Sequence, residues 1–188
     1  MRFALCCIAV LALIGSAQAE DKKIPAKKAK ATPAAQMQGI DVAFSPSPDN
    51  AAEQLVIKAI DKAGTSVVMA AYHLTSLPIA NALCAASAKG LAVSLILDAK
   101  DNHKGNKESQ RDKLEACGVA VRTNDHYPIM NNKFIVVDDK ITELGSYNYG
   151  ANEALKNAEG ATVVWNNKAL ATRYATEFDR LFGEGDAK

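Results

Sequence analysis

The sequence predicts a layered α/β domain over residues 40–188, a mixed β-sheet with helices on both faces. Three observations carry this prediction. Short apolar runs such as Ser66 to Tyr72 and Leu91 to Leu97 lack polar alternation, as strands covered on both sides do. Helical stretches alternate with them and stop at Gly64, Gly90 and Gly118. Of the 188 residues 48% are hydrophobic and 23% charged, a balance that excludes a collagen, a coiled-coil rod and a disordered tail. The 22 basic and 21 acidic residues nearly cancel, which argues against a protein that coats nucleic acid through bulk charge.

The N-terminal residues stand outside this domain. Residues 1–19, MRFALCCIAVLALIGSAQA, combine Arg2, an apolar core and the small-x-small end Ala17-Gln18-Ala19. They read as a secretory signal peptide. The apolar stretch is shorter than the ~20 residues of a membrane span, so an uncleaved anchor is the weaker alternative. Export implies a periplasmic or secreted protein with no integral membrane span once the leader is removed. Residues 20–39 hold Lys22, Lys23, Lys27, Lys28 and Lys30 among Ala and Pro, without apolar periodicity. They read as a flexible tether, with a weak anion-binding arm as the functional alternative.

Cys84 and Cys117 remain after the leader is removed, an even number in an oxidising compartment. A bridge between them would close a loop of about 33 residues and contribute roughly 3–4 kcal/mol. Two buried free thiols are the alternative.

Element by element, Asp41 to Phe44 is a short strand, ended by Ser45-Pro46-Ser47-Pro48. Asp49 or Asn50 caps a helix with Leu55, Val56, Ala59 and Ile60 on one face. Ser66 to Tyr72 is a buried strand, Pro78 to Lys89 an alanine-rich helix closed by Gly90, and Leu91 to Leu97 a second buried strand. A polar loop leads to a helix with Leu114 and Cys117, then a short strand from Val119 to Arg122. Lys133 to Val137 and Ile141 to Leu144 pair around the Asp138-Asp139-Lys140 turn. Ala161 to Trp165 is a strand, and Ala169 to Phe182 an amphipathic helix with Leu170, Tyr174, Phe178 and Leu181 inward.

Candidate chemistry clusters between Met130 and Asn148. Asn131 and Lys133 are two apart, so on a strand they share a face. Lys133 opens an apolar strand, Asp138 follows five residues on, and Gly145-Ser146-Tyr147-Asn148 forms a glycine turn with two hydrogen-bonding side chains. A cation, a hydroxyl and an amide on one rim suit a phosphate.

The run Asn131-Asn132-Lys133-Phe134-Ile135-Val136-Val137-Asp138, followed by Gly145-Ser146-Tyr147-Asn148, resembles the H-x-K-x4-D-x6-G-S-x-N signature of the phospholipase D superfamily. The likeness is strongest to its small, exported, single-motif bacterial endonuclease branch and covers nearly all of residues 40–182. It implies a phospholipase D/nuclease-like fold and metal-independent cleavage of phosphodiesters in nucleic acid or phospholipid, with no cofactor. One histidine attacks phosphorus to give a phosphohistidine, and a second protonates the leaving oxygen. A chain with one motif would therefore form a homodimer with a shared active site. By the same resemblance Lys133, Ser146 and Asn148 bind the phosphate, while Asn131, Lys133, Asp138 and Glu159 make up the catalytic set. Within that set Asp138 is mainly structural and Glu159 orients the side chain at position 131.

The chain departs from the signature where the chemistry is most demanding. The histidine position holds Asn131, and an amide offers neither a nucleophilic nitrogen nor a titratable proton. The expectation is an impaired phosphodiesterase. The alternatives are a non-catalytic phosphate-, DNA- or lipid-binding module, or an inactive partner of an intact paralogue. Leu144, where the family has a small polar residue, is a second divergence. His73, His103 and His126 each read as loop residues, and His126 is wrongly spaced to replace residue 131. The stretch with Lys100, Lys104, Lys107, Arg111 and Lys113 is either a nucleic-acid groove or a solvated loop. Tyr72, Phe134 and Trp165 read as core.

Overall fold

Seven strands form one sheet in the computed structural model, which describes residues 39–186. The leader, and all of the tether but Gly39, lie outside the described residues, as do the readings placed on them. In chain order the elements are β1 (Gly39–Ser45), α1 (Ala51–Ile60), β2 (Ser66–Ala71), α2 (Leu77–Ala88), β3 (Ala92–Asp98) and α3 (Arg111–Ala116). They continue with β4 (Ala120–Asn124), β5 (Lys133–Val137), β6 (Ile141–Gly145), α4 (Ala151–Leu155), β7 (Glu159–Trp165) and α5 (Lys168–Glu184). The strand order is β1-β7-β6-β5-β2-β3-β4. β2, β3 and β4 are parallel, joined through α2 and α3, and every other pairing is antiparallel. The sheet is mixed because α2 and α3 return the chain for parallel pairing, while the tight Asp138–Lys140 turn permits only a hairpin.

Alternation along the strands sorts the core into two layers. Val67, Met69, Ala71, Leu95, Leu97, Ile135 and Val163 pack with Leu55, Val56 and Ile60 of α1 and with Ile79 and Leu83 of α2. On the opposite face Ala70, Ile96, Phe134 and Val136 pack with Phe178 and Leu181 of α5. Apolar burial is the main favourable contribution, at about 25 cal/mol per Å² removed from water.

Local chemistry sets the element ends. Ser76 caps α2 by accepting from the Ile79 amide, and Gly90 follows that helix at φ +81°, a conformation glycine adopts without strain. Asn50 precedes α1 but is left-handed at φ 52° and makes no side-chain cap. Ser47 serves instead, its hydroxyl accepting from the Ala51 amide at 2.7 Å, because the Ser47–Asn50 turn folds back on the first helical residue. α4 was not foreseen, as five residues behind Gly150 carry no helical periodicity. Cys84 on α2 and Cys117 after α3 form a disulfide with Cα atoms 5.6 Å apart.

Candidate active site

The apolar strands deliver their polar ends to one edge of the sheet. Pairing of Ala71 with Lys133 sets the end of β2 beside the start of β5, and pairing of Gly145 with Ala161 sets the end of β6 beside the start of β7. That edge therefore gathers Tyr72, His73, Asn131, Lys133, Ser146 and Glu159.

The ammonium of Lys133 donates to Asn131 Oδ1 at 2.6 Å and to the Asn131 carbonyl at 2.9 Å. It also lies 5.9 Å from the Tyr72 ring centroid. Burial pushes its pKa down, and the Glu159 carboxylate opposes that shift. Such a lysine is a point charge held in place by its neighbour.

Ser146 Oγ donates to Glu159 Oε2 at 2.5 Å and accepts from the Gly160 amide at 3.1 Å. Its own amide donates to the Gly160 carbonyl. The pairs made here are thus Lys133 with Asn131 and Ser146 with Glu159, whereas the expectation joined Glu159 to residue 131. The cause is the ladder, which makes Ser146 the cross-strand neighbour of the start of β7. Gly145 is required by the same approach, since a Cβ would run into the Gly160 carbonyl oxygen. Asn148 follows on the same loop, and its buried Oδ1 has no hydrogen-bond partner among the described residues.

Asp138 stands apart from this set. It follows the far end of β5, ~17 Å from Lys133 at about 3.3 Å per strand residue. Its carboxylate accepts from the Gly64, Thr65 and Ser66 amides and from the Thr65 hydroxyl at 2.8–3.1 Å. Burial would raise its pKa, but these hydrogen bonds outweigh it and hold the carboxyl at about 2. Asp138 closes a turn far from Lys133, in keeping with the mainly structural part expected of it.

Other expected residues also move. Tyr72 is not core: it is partly exposed beneath Lys133, and its phenol is raised to about 12, chiefly by a hydrogen bond with Asp101 and then by burial. Phe134 and Trp165 are buried, as expected. Arg111 is not groove-facing but buried, donating to the Asn102 carbonyl and to Glu115. Leu144 packs against the layer beneath α5. His103 and His126 lie in loops, as does His73, which follows β2 and lies against Glu153 and Asp101. Sequence reasoning missed Glu153 and Asp101, since only the β3–α3 loop and α4 bring them to His73. Among the described residues no three His, Cys, Asp or Glu side chains cluster closely enough to hold a metal ion.

A lysine, a serine and an asparagine thus stand near one another where the apolar strands of a mixed sheet end. The chain belongs to the phospholipase D superfamily of phosphodiesterases: residues 56–182 match the family model described as cardiolipin synthase, PLD-like domain. It is 31% identical over 128 residues to a phospholipase D of Rickettsia conorii, covering 68% of this chain and 62% of that protein. It is 27% identical over 141 residues to a mitochondrial cardiolipin hydrolase of Xenopus tropicalis, covering 75% of this chain and 65% of that one. It therefore spans less than two thirds of these relatives. The crystal structure of Nuc, a phospholipase D family member from Salmonella typhimurium, superposes with a TM-score of 0.72 at 33% identity, over 78% of this chain and 95% of Nuc. NucT from Helicobacter pylori, at 24% identity and a TM-score of 0.67, shares the fold.

Proposed function

We propose that this chain is an exported, phospholipase D-like phosphodiester-binding protein of the endonuclease type, whose hydrolysis of nucleic acid or phospholipid is impaired by Asn131. The observation that carries the reading is the Lys133 ammonium held on the Asn131 amide, beside the Ser146–Glu159 pair and the unpartnered Asn148 oxygen. The Lys133 ammonium, the Ser146 hydroxyl and the Asn148 amide NH₂ supply charge and hydrogen-bond donors to a phosphate, but the residue in the histidine position supplies no nucleophile. Losing proton transfer alone costs about 10²–10⁴-fold, and losing the nucleophile adds to that.

The same reading includes a homodimer. On β1, Ile40, Val42 and Phe44 are 63%, 52% and 67% exposed, and α1 covers only the other face of this edge strand. The strip ends at Phe44, whose ring lies against Gly160 beside Ser146. An apolar patch reaching the rim of the site suits a second copy that completes it.

The test compares the chain with its Asn131→His variant on plasmid DNA, phosphatidylcholine and a chromogenic phosphodiester, all in EDTA. A large gain in the variant, on one substrate class, supports the reading and names the substrate. Full activity in the unaltered chain overturns the impairment, and activity in neither favours a binding module or an inactive partner.

A further inference from the structure

We propose that Glu143 and Tyr149 are positioning residues for the phosphate: their buried hydrogen bond holds the loop that presents Ser146 and Asn148, and phosphodiester affinity depends on it. The inference rests on the reading of the rim as a phosphodiester site.

The path of the chain comes first. It leaves β6 at Gly145 and enters α4 at Ala151, so residues 146–150 make the whole connection. Exposure alternates along them: Ser146 is exposed and Asn148 partly so, while Tyr147 and Tyr149 are buried. The two inward rings meet edge to face with centroids 5.7 Å apart, and the Tyr147 hydroxyl donates to the Gly150 carbonyl at 3.1 Å. The rim side chains of this loop are therefore carried by the tyrosines beneath them.

Tyr149 is held against a backbone preference. Its φ is +59°, in the left-handed region that a bulky side chain occupies only when its surroundings keep it there. The hydroxyl donates to Glu143 Oε2 at 2.7 Å, and the carbonyl accepts from the Thr75 and Ser76 amides. Asn148, one residue earlier, has no such hold on its amide oxygen, since that buried Oδ1 lacks a hydrogen-bond partner among the described residues. The direction of its NH₂ thus follows the backbone, and a buried tyrosine on either side fixes that backbone.

Glu143 makes the hold conditional. It lies on β6, is 1% exposed, and its Oε1 has no hydrogen-bond partner among the described residues. Burial pushes its carboxyl up to about 8, against a smaller downward pull from the Tyr149 hydrogen bond. The titratable groups around the pair are Tyr147 and Tyr149 on the loop, Glu53 on α1 and Glu153 on α4. None of these is a cation, so none can neutralise an ionised Glu143. A carboxylate formed there needs water, and admitting water loosens the packing around the Tyr149 ring. The arrangement that presents Asn148 is complete while Glu143 is neutral and is lost as pH rises through its folded titration.

The experiment measures binding of bis(4-nitrophenyl) phosphate to the full chain by calorimetry, in EDTA, from about pH 6 to 9, a range that brackets the raised carboxyl. This diester keeps one negative charge throughout, and circular dichroism at each pH checks the fold. Affinity of the unaltered chain should fall by about tenfold between pH 7 and 9, as the neutral fraction of Glu143 falls. Glu143→Gln resembles the neutral carboxyl in shape and charge, so it should fold, keep the affinity seen at pH 7 and lose most of the fall. Tyr149→Phe removes the hydrogen bond and should weaken binding by roughly three- to tenfold at pH 7. Should Tyr149→Phe fail to fold, the Glu143→Gln profile decides alone. An equal fall in Glu143→Gln overturns the inference, because it assigns the titration to Lys133 or another group. So does a flat profile in the unaltered chain, or a folded Tyr149→Phe that binds as tightly as the unaltered chain. Absence of binding by the unaltered chain at pH 7 instead overturns the site itself, and this inference with it.

Discussion

The hydroxyl of Tyr149 donates a 2.7 Å hydrogen bond to Glu143 Oε2, with both side chains buried beneath the candidate site. Glu143 lies on β6 two residues before Gly145, while the carbonyl of Tyr149 receives the Thr75 and Ser76 amides. The pair therefore links the phosphate-site loop to the layer below it.

Burial is the dominant influence on Glu143 and raises its pKa to about 8, against a smaller downward pull from the Tyr149 hydrogen bond. A carboxyl raised on folding contributes stability that is complete below its ordinary pKa and lost as pH rises through the folded value. Stability should therefore fall between about pH 4.5 and 8, on the order of 1 kcal/mol per pH unit. Glu143→Gln keeps an acceptor for Tyr149 and should flatten this slope in urea unfolding. An unchanged slope would assign the pH dependence to other groups.

Asp138 follows the opposite sign. Its depressed pKa contributes stability above the ordinary carboxylate range, and that stability is lost as pH falls toward about 2. Asp138→Ala removes a charged acceptor from three amides and a hydroxyl. It should cost roughly 2–3 kcal/mol, read as a lower urea midpoint with an unchanged slope on denaturant.

The Cys84–Cys117 disulfide joins α2 to the end of α3 across 33 residues of chain. Replacing both cysteines by serine should lower stability by roughly 3–4 kcal/mol. Thermal unfolding of the disulfide form, with and without reductant, checks this, and equal melting temperatures would contradict it.

Gly145→Ala should be among the most damaging small substitutions in the domain. The added methyl meets the Gly160 carbonyl, a backbone atom held by the β6–β7 ladder, and not a side chain that can turn aside. A loss of several kcal/mol is expected, on the scale of severe overpacking, and circular dichroism melts would show it.

Phe44→Asp places a charge in the exposed strip of β1. If a second copy covers this strip, sedimentation should show a dimer for the unaltered chain and a monomer for the variant. A dimer that persists in Phe44→Asp would move the interface elsewhere.

The strands and long helices were legible because their signals are local. Val67 to Ala71 and, but for Ser94, Val93 to Leu97 are apolar on both faces, and Gly90 and Gly118 mark helix ends by their backbone freedom. α4 was not legible, since a helix this short is held by contacts and not by periodicity. Tyr72 and Arg111 were misplaced for a related reason. Composition describes a side chain but not the neighbour it meets, here Asp101 for one and Asn102 for the other.

By itself the sequence determined the α/β class, the membership of the phospholipase D superfamily and the absence of histidine at position 131. Periodicity, motif spacing and residue identity are properties of the chain order. Tertiary structure alone decided that Asp138 binds the Gly64–Ser66 amides, that Ser146 holds Glu159, and that His73 meets Glu153 and Asp101. These are contacts between elements far apart in sequence, and the register and order of the strands, not spacing along the chain, bring them together.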